Sequence, residues 1–555
     1  MFTFAVLIGF YAYTLFLFGL LGILYKPILI GFTLLFFVSL SLWKKEKLQS
    51  LFVGLYQWIL KQSIKTLFRS KNKLFPLFVL LFCLQAGINL IGALGPELGF
   101  DALWYHLTLP KLYILHHKIF YIPGGLMYYN AMPKIGELLY VGALAVSNEI
   151  LAKLIQFSFG LLCAYVVYTL SRRFFNQTIS FIAVVIFYSN LVVDWESITA
   201  YIDLVRTFFE ILALYEFIIW YQTKKQRFLI RSAIVLGLAI TTKVLALGSL
   251  LIYSVLILFT STKAIQWSEI TSVRLKASFR TYFTWLRMTK KIFLYWFTAL
   301  VIPLPWFIFA YIHTGNPVYP FFTKFYAVSF SLSLFNPITF VTTLWNLFTH
   351  AADPISPLYL MLLPLSIFYF SRLRKELKLI CLYSLLASIV WYFTPNTGGG
   401  RFILPYLPAF SIACVAAINE VRISRLQTFV TSVVIVISVI SIFYRFVANY
   451  KYIPVILGKE TKSQFLTKNL NFSFGDFYDT DTYFKTHIRP SDTVLLYGFH
   501  NLYYVDFPFI DASWLQKGDK FDYIATQHMQ IPKQFIYWHK MYENKLTGVQ
   551  LYKHI

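Results

Sequence analysis

An acid, two aromatic rings and an imidazole lie close together in residues 99–111. A carboxylate such as Asp101 can take a proton from an acceptor hydroxyl. Trp104 and Tyr105 can pack on the face of a sugar ring, and a protonated His106 can hold a phosphate. The alternative role for Asp101 is to cap a helix. This spacing indicates sugar chemistry, with Asp101 and His106 as catalytic candidates and the two rings as substrate contacts.

Lys134 and Glu137 lie further along the same stretch between apolar runs. Both side chains can bind the polar groups of a substrate. Both are equally typical of a solvated loop, and the sequence leaves the two interpretations open. We treat them as candidate substrate-binding residues.

Three more charged residues, Asp203, Lys243 and Arg401, lie at the ends of apolar runs. A charge in mid-membrane costs roughly 2.5–3.5 kcal/mol, so such residues call for an explanation. Asp203 is a third catalytic candidate, although the helix dipole alone favours an acid there. Lys243 can snorkel harmlessly or bind an anion. The dipole disfavours Arg401 before a helix, which favours a bound phosphate. We predict that Lys243 and Arg401 bind the phosphate of a donor.

The elements that must position these residues are transmembrane helices. Of the 555 residues, 58% are hydrophobic and 13% are charged, and the mean hydropathy is +0.63. Soluble domains carry about a quarter charged residues. The apolar runs are long and continuous, unlike the short alternating strands of a barrel. The predicted fold class is therefore mainly α, a polytopic transmembrane helical bundle with a small extracytoplasmic α/β domain.

A span needs about twenty apolar residues, and this length predicts about 13 transmembrane helices. The predicted spans are residues 4–24, 27–42, 74–93, 150–170, 177–193, 203–221, 228–242, 244–262, 292–312, 356–371, 377–393, 402–418 and 427–446. Lys and Arg cluster in loops between them, which places those loops and the N-terminus in the cytoplasm. The net charge of +25 is explained in this way and does not indicate binding to nucleic acid.

The spans divide the chain into three regions. Residues 1–73 contain two spans and a stretch, 46–70, typical of a helix lying on the cytoplasmic face. Residues 74–449 form the catalytic core, with long outer loops at 94–149 and 313–355.

The third region, residues 450–555, lacks the basic bias of the inner loops. We predict that it is an α/β domain outside the membrane. Its predicted strands are 493–498 and 523–526, and its predicted helices lie near 477–487 and 532–543.

The candidate residues suit a substrate that has a prenyl tail, a phosphate and a sugar. The tail would lie among the helices, the phosphate would meet the cations, and the sugar would face the aqueous side. The predicted partners are therefore a polyprenyl-phosphate sugar donor, membrane lipids, and an acceptor that is a glycan, a lipid or a protein. The predicted location is the cell membrane, where the chain crosses several times.

The sequence resembles the GT-C superfamily of polytopic glycosyltransferases, in particular bacterial members akin to protein O-mannosyltransferases and aminoarabinose transferases. The stretches that carry this resemblance are 100–107, 200–204, 237–243, 314–320 and 401–405. The resemblance implies transfer of a sugar from a polyprenyl-phosphate carrier on the extracytoplasmic face, with inversion. It also implies that the acid of the first outer loop, here Asp101, acts as the base.

The chain departs from the Asp-Glu pair of protein mannosyltransferases, because Ala102 follows Asp101. Some members of the superfamily bind a divalent metal, which is a possible cofactor, but no cluster of His and Asp here requires one. The sequence predicts no metal ligands.

Two functions of other classes remain as alternatives. A transporter or lipid flippase for a glycolipid would carry charges within its spans and broken helices. A structural membrane protein would use its outer domain to bind partners. Within glycosyl transfer, a lipopolysaccharide ligase or a polymerase acting on longer glycans is a further possibility. The placement of the charges at one face favours a transferase, while the sugar and the acceptor stay open.

Overall fold

The computed structural model describes residues 1–43, 74–262, 274–326, 332–394 and 399–554. The helix predicted over 46–70 lies outside the described residues. The chain is a multi-pass membrane protein built mainly of helices, as predicted.

The helices of the first half of the chain start mostly after loops that contain Asn or Lys. Asn148, Asn176 and Asn190 each cap the helix that follows by accepting a hydrogen bond from its first turn. These helices are α1 Phe2–Leu20, α2 Lys26–Trp43, α3 Leu74–Ala93, α4 Thr108–Leu115, α5 Ile135–Val146, α6 Glu149–Ser171, α7 Gln177–Tyr188, α8 Leu191–Glu196, α9 Asp203–Thr223 and α10 Gln226–Thr242.

In the second half of the chain, the first helices belong to the bundle and the last ones belong to the C-terminal domain. Its helices are α11 Gly248–Thr262, α12 Arg274–Val301, α13 Leu304–Thr314, α14 Pro337–Thr349, α15 Leu358–Phe368, α16 Lys375–Phe393, α17 Leu407–Glu420, α18 Ser424–Asn449, α19 Ile453–Ile456, α20 Lys462–Asn469 and α21 Tyr483–His487. Short 3₁₀ turns at Gly400–Phe402 and Leu404–Tyr406 precede α17, so this helix begins later than the predicted span 402–418.

Each predicted span coincides with a helix or with a pair of helices. In the described part of the chain, five helices are long and apolar enough to cross a membrane, and a bent pair makes up to six. That pair, Met288–Val301 and Leu304–Thr314, is bent by 63°. The span predicted at 292–312 is therefore bent near its middle, because Pro303 lacks the N–H that a continuous helix needs.

Helix α9 is the centre of the bundle and is buried along most of its length. It packs against α6 and α10. Even Arg206 and Glu210 on this helix are buried, and they pair with each other. Because α9 begins at Asp203, its position fixes that carboxylate at one end of the bundle.

The C-terminal domain contains a five-stranded sheet, which confirms the predicted α/β domain. Its strands are β1 Val494–Tyr497, β2 Phe509–Asp511, β3 Tyr523–Gln527, β4 His539–Asn544 and β5 Val549–Lys553. The order is β2-β1-β3-β5-β4, with β1 parallel to both of its neighbours and β5 antiparallel to both of its own.

Two helix predictions in this domain need correction. The helix predicted near 532–543 is wrong, because this stretch contains a short 3₁₀ turn, Lys533–Phe535, followed by the edge strand β4. The strand pairs with β5, and pairing with a neighbouring strand outweighs weak helical periodicity. The helix predicted near 477–487 is shortened to α21.

Candidate active site

A cavity of about 210 Å³ collects the predicted site residues. It lies between the first long loop, the start of α9, the end of α10 and the turn before α17. Of the predicted site residues, its lining includes Asp101, Trp104, Tyr105, His106, Lys134, Glu137, Lys243 and Arg401. The sequence placed these residues on separate segments, and the fold brings them together.

Asp101 and Arg401 form an ion pair across this cavity. Arg401 Nη1 lies 2.5 Å from Asp101 Oδ2, although 300 residues separate them in the chain. The Asp101 side chain makes no capping hydrogen bond, so the capping alternative is wrong. Burial acts to lower the pKa of Arg401, but Asp101, Tyr105, Asp203 and Tyr201 together outweigh burial and raise this pKa above its ordinary value. The guanidinium is therefore a permanent cation facing the cavity.

The backbone around Asp101 is held by a residue that the sequence analysis missed. The buried carboxylate of Glu97 accepts hydrogen bonds from the amides of Leu98 (2.8 Å) and Gly99 (2.6 Å) with Oε1, and from that of Ala200 (2.6 Å) with Oε2. Burial raises the pKa of Glu97, and Lys153 partly offsets this effect. These bonds tie the turn before Asp101 to the turn before α9.

Asp101 itself precedes a single π-helical turn, Ala102–His106. Its amide donates to the hydroxyl of Tyr201 at 3.1 Å. Wide turns of this type occur often at functional sites because they re-aim side chains.

Arg401 is positioned by Asp353, which was also missed. The Gly400 amide donates to the Asp353 carbonyl at 3.0 Å. Gly399 has φ +90°, and a Cβ there would collide with the Asp353 carboxylate. This close approach explains why the segment before Arg401 is rich in glycine. Burial raises the pKa of Asp353, and Arg401 offsets part of the rise.

A second ion pair joins Asp203 to Lys243. Lys243 Nζ lies 2.7 Å from Asp203 Oδ1, and the acid is 1% exposed. Lys243 follows α10 in an extended conformation, which ends the helix and directs the chain past the start of α9. The ammonium of Lys243 and the guanidinium of Arg401 both lie over the ring of Phe402, at 5.3 and 5.1 Å. Two cations therefore border one cavity.

Aromatic rings form one wall of the cavity. The ring of Trp104 lies 5.6 Å from that of Tyr128 and 5.3 Å from that of Tyr129, and Tyr105 lies 4.8 Å from Tyr129. The indole of Trp104 also donates to the Leu126 carbonyl at 2.9 Å. A rigid wall of this kind is suited to the apolar face of a sugar.

His106, Lys134 and Glu137 form a buried group beside this wall. His106 Nδ1 lies 2.9 Å from Glu137 Oε1, and Lys134 Nζ donates to the Tyr129 carbonyl at 2.8 Å. Burial lowers the pKa of Lys134 to about 8, against the opposing effect of Glu137. These three side chains line the cavity beside the aromatic wall, and Lys134 and Glu137 are buried rather than solvated.

The residues around the cavity do not fit a divalent metal. Asp101 and Asp203 are each engaged by a cation. Over the described ranges, no group of three or more His, Cys, Asp or Glu side chains is arranged to hold an ion.

The C-terminal domain contacts the loop that carries Asp101. His500 stacks on Phe100 at 4.7 Å and lies 4.5 Å from the ring of Trp104. The Tyr503 amide donates to the Leu103 carbonyl at 3.2 Å. Rings on both sides of Asp101 are therefore packed against this domain.

Comparison with known proteins adds to this picture. Residues 140–272 match a family model described as dolichyl-phosphate-mannose-protein mannosyltransferase. This segment contains Asp203 and Lys243 and excludes Asp101 and Arg401. Among curated proteins, no sequence matches the chain.

Solved structures share the fold. ArnT from Cupriavidus metallidurans bound to undecaprenyl phosphate aligns with TM-score 0.50 and 13% identity, over 86% of this chain and 98% of that chain. Its apo structure aligns over the same shares with TM-score 0.51 and 13% identity. The oligosaccharyltransferase AglB from Archaeoglobus fulgidus aligns with TM-score 0.45 and 12% identity, over 81% of this chain and 69% of that chain. The predicted GT-C fold is confirmed by the alignments to the two ArnT structures.

The His500 contacts predict that the C-terminal domain orders the Asp101 loop. His500→Ala removes the ring stacked on Phe100, so amide hydrogen exchange of residues 98–106 should become faster, while exchange in α9 stays unchanged. The control is His487→Ala, which removes a ring stacked only on Tyr483, at 3.9 Å. Equal exchange of residues 98–106 in the two variants would contradict the prediction.

Proposed function

Since the chain has the GT-C fold, we propose that it is a glycosyltransferase that uses a polyprenyl-phosphate sugar as donor. The acceptor is a hydroxyl or an amine on the extracytoplasmic face, where the C-terminal domain and the cavity lie. The observation that carries the proposal is the meeting of Asp101, Lys243 and Arg401 at one cavity with an aromatic wall.

The donor phosphate binds between Lys243 and Arg401. Both cations border the cavity while paired to carboxylates, with side chains 15% and 19% exposed. A phosphate with its two or three anionic oxygens competes well for a guanidinium, because it can accept two parallel hydrogen bonds. Donor binding therefore draws Arg401 toward the phosphate and frees the Asp101 carboxylate.

In the transfer step, the acceptor oxygen or nitrogen attacks the anomeric carbon from the face opposite the phosphate. The new glycosidic bond forms as the bond between the anomeric carbon and the phosphate oxygen breaks. The electron pair leaves with the polyprenyl phosphate, the acceptor proton moves to Asp101, and the anomeric configuration inverts. Lys243 and Arg401 stabilise the charge that develops on the phosphate, and each such donor is worth roughly 3–4 kcal/mol in a dry site.

Asp203 and His106 act through other residues in this scheme. Asp203 holds the Lys243 ammonium over the ring of Phe402, and His106 holds the Glu137 carboxylate beside the aromatic wall. Both are therefore positioning residues, whereas the sequence alone placed them among the catalytic candidates.

A transporter or flippase for a glycolipid is the second candidate. The 63° bend between α12 and α13 and the Arg206–Glu210 pair inside the bundle are features of such proteins. The pair has local partners, since Tyr406 accepts from Arg206 at 3.1 Å and Ser249 donates to Glu210 at 2.8 Å. This local network favours a structural role for the pair and makes the transferase the better proposal.

Replacement of the base should abolish transfer without unfolding the protein. Asp101→Asn keeps the shape of the side chain and removes its basicity, so transfer of radiolabelled sugar from polyprenyl-phosphate donors in membranes should fall at least about a hundredfold. Asp519→Asn, an exposed acid of the C-terminal domain, serves as the matched control. Full activity of Asp101→Asn would refute the role of Asp101 as the base. Donor-dependent transport without any glycosylated product would favour the flippase.

The two partners of the ion pair should have opposite effects on carrier binding. Asp101→Asn removes the carboxylate that competes for Arg401, so undecaprenyl phosphate should bind about tenfold more tightly, a gain near 1.4 kcal/mol. Arg401→Ala removes the cation and should weaken binding by at least the same factor. Titration of the purified variants tests both effects. A weakening by both substitutions would show that Asp101 holds Arg401 in place and does not compete with the phosphate.

A further inference from the structure

A second cavity, of about 240 Å³, lies where the C-terminal domain meets the start of α2. Its walls come from α4, from the turn between α5 and α6, from the start of α20 and from residues 503–506. It shares no lining residue with the catalytic cavity. The proposed function makes no use of it.

Three lysines from distant parts of the chain meet at this cavity: Lys26, Lys111 and Lys462. Lys462 Nζ lies 2.5 Å from Glu149 Oε1, and Lys111 Nζ lies 2.8 Å from Asp506 Oδ1. Lys26 has no ion-pair partner within the described ranges. The cavity therefore carries one more cation than acids, and its extra cation is exposed.

Contacts with the rest of the protein hold two of the three lysines in place. Lys111 also donates to the carbonyls of Tyr503 and Val505, both at 2.7 Å. The Tyr503 hydroxyl donates to Glu149 Oε2 at 3.3 Å, and the other oxygen of this carboxylate pairs with Lys462. Two lysines of the positive edge are therefore positioned before a ligand binds, and the third, Lys26, is exposed beside them.

The opposite side of the cavity is apolar and open to lipid. Ile114, Leu115 and Leu144 line it, and Leu115 is 58% exposed. Helix α2 starts at Lys26 and carries exposed apolar side chains such as Leu35 (65%) toward its other end. The predicted span 27–42 begins beside Lys26, and the ends of a spanning helix lie at the depth of lipid headgroups. On this prediction the cations lie at headgroup depth above an apolar surface.

We propose that this cavity binds the phosphate headgroup of an anionic phospholipid of the surrounding bilayer. Lys26 supplies the free charge, Lys111 and Lys462 complete the positive edge, and an acyl chain lies along Leu115 and the exposed face of α2. A neutral or zwitterionic headgroup gains less there, because it brings no net charge to offset the extra ammonium. A lipid held in this position also joins α2 to the C-terminal domain.

The test uses the purified full-length chain in detergent and measures lipid binding by native mass spectrometry, with phosphatidylglycerol and phosphatidylcholine of identical acyl chains. Phosphatidylglycerol should bind more tightly. Lys26→Gln should weaken its binding about fivefold, the factor that corresponds to one basic residue near a headgroup. Lys118→Gln, an exposed lysine of the same outer segment outside the cavity, is the matched control and should leave binding unchanged.

The outcomes separate this proposal from the proposed function, because lipid binding is measured without transfer. Equal binding of the two phospholipids, or equal effects of Lys26→Gln and Lys118→Gln, would overturn the proposal. Displacement of phosphatidylglycerol by undecaprenyl phosphate in the wild type, abolished by Lys26→Gln, would overturn it in favour of a second carrier site. Lys26 is exposed, so an unchanged unfolding temperature of Lys26→Gln checks that the fold is intact.

Discussion

The pairing of charges at the membrane edge is the constraint on which the site depends. Removing one partner of a buried pair costs about 3–5 kcal/mol, because it leaves an uncompensated charge. Here the pairs join Asp101 to Arg401 and Asp203 to Lys243. The first pair links the first long loop to the turn before α17, and the second links α9 to the end of α10. The site is therefore complete only when four separate parts of the bundle have come together.

A second layer of buried polar groups fixes the backbones that carry these charges. Glu97 binds amides on both the Asp101 side and the α9 side. Asp353 holds the turn that presents Arg401. The Glu97 carboxylate accepts from backbone amides and the Asp353 backbone carbonyl accepts from the Gly400 amide, so each residue restricts a loop. The loops can then be irregular, as reactive segments need to be, and still be well ordered.

The sequence predicted the spans and the charged residues of the site for a physical reason. Charged residues are costly near a membrane, so Asp101, Asp203, Lys243 and Arg401 were conspicuous among apolar runs. Glu97 lies four residues before Asp101 in the same apolar stretch and carries the same signal, whereas Asp353 and His500 lie in mixed segments where their residue types are ordinary. Their roles arise from contacts between residues up to 400 positions apart, as in His500 on Phe100. Strand β4 was not predicted for the same reason: its pairing with β5 arises from the fold, and no local pattern specifies it.

The ion pairs that exist before a ligand binds also affect how a site with two cations can select its ligand in a membrane that contains many anionic phosphate headgroups. An unpaired guanidinium in this cavity would attract any phosphate headgroup, while an unpaired carboxylate would be held there at high cost. Pairing Asp101 with Arg401 satisfies both until a ligand offers a better partner for the cation. A phosphate that also places a sugar against Trp104 and Tyr105 gains contacts that a simple phospholipid lacks. In the proposed mechanism the pair would impose an order, in which the base becomes free only after the donor is bound, and this order would limit loss of the activated sugar to water.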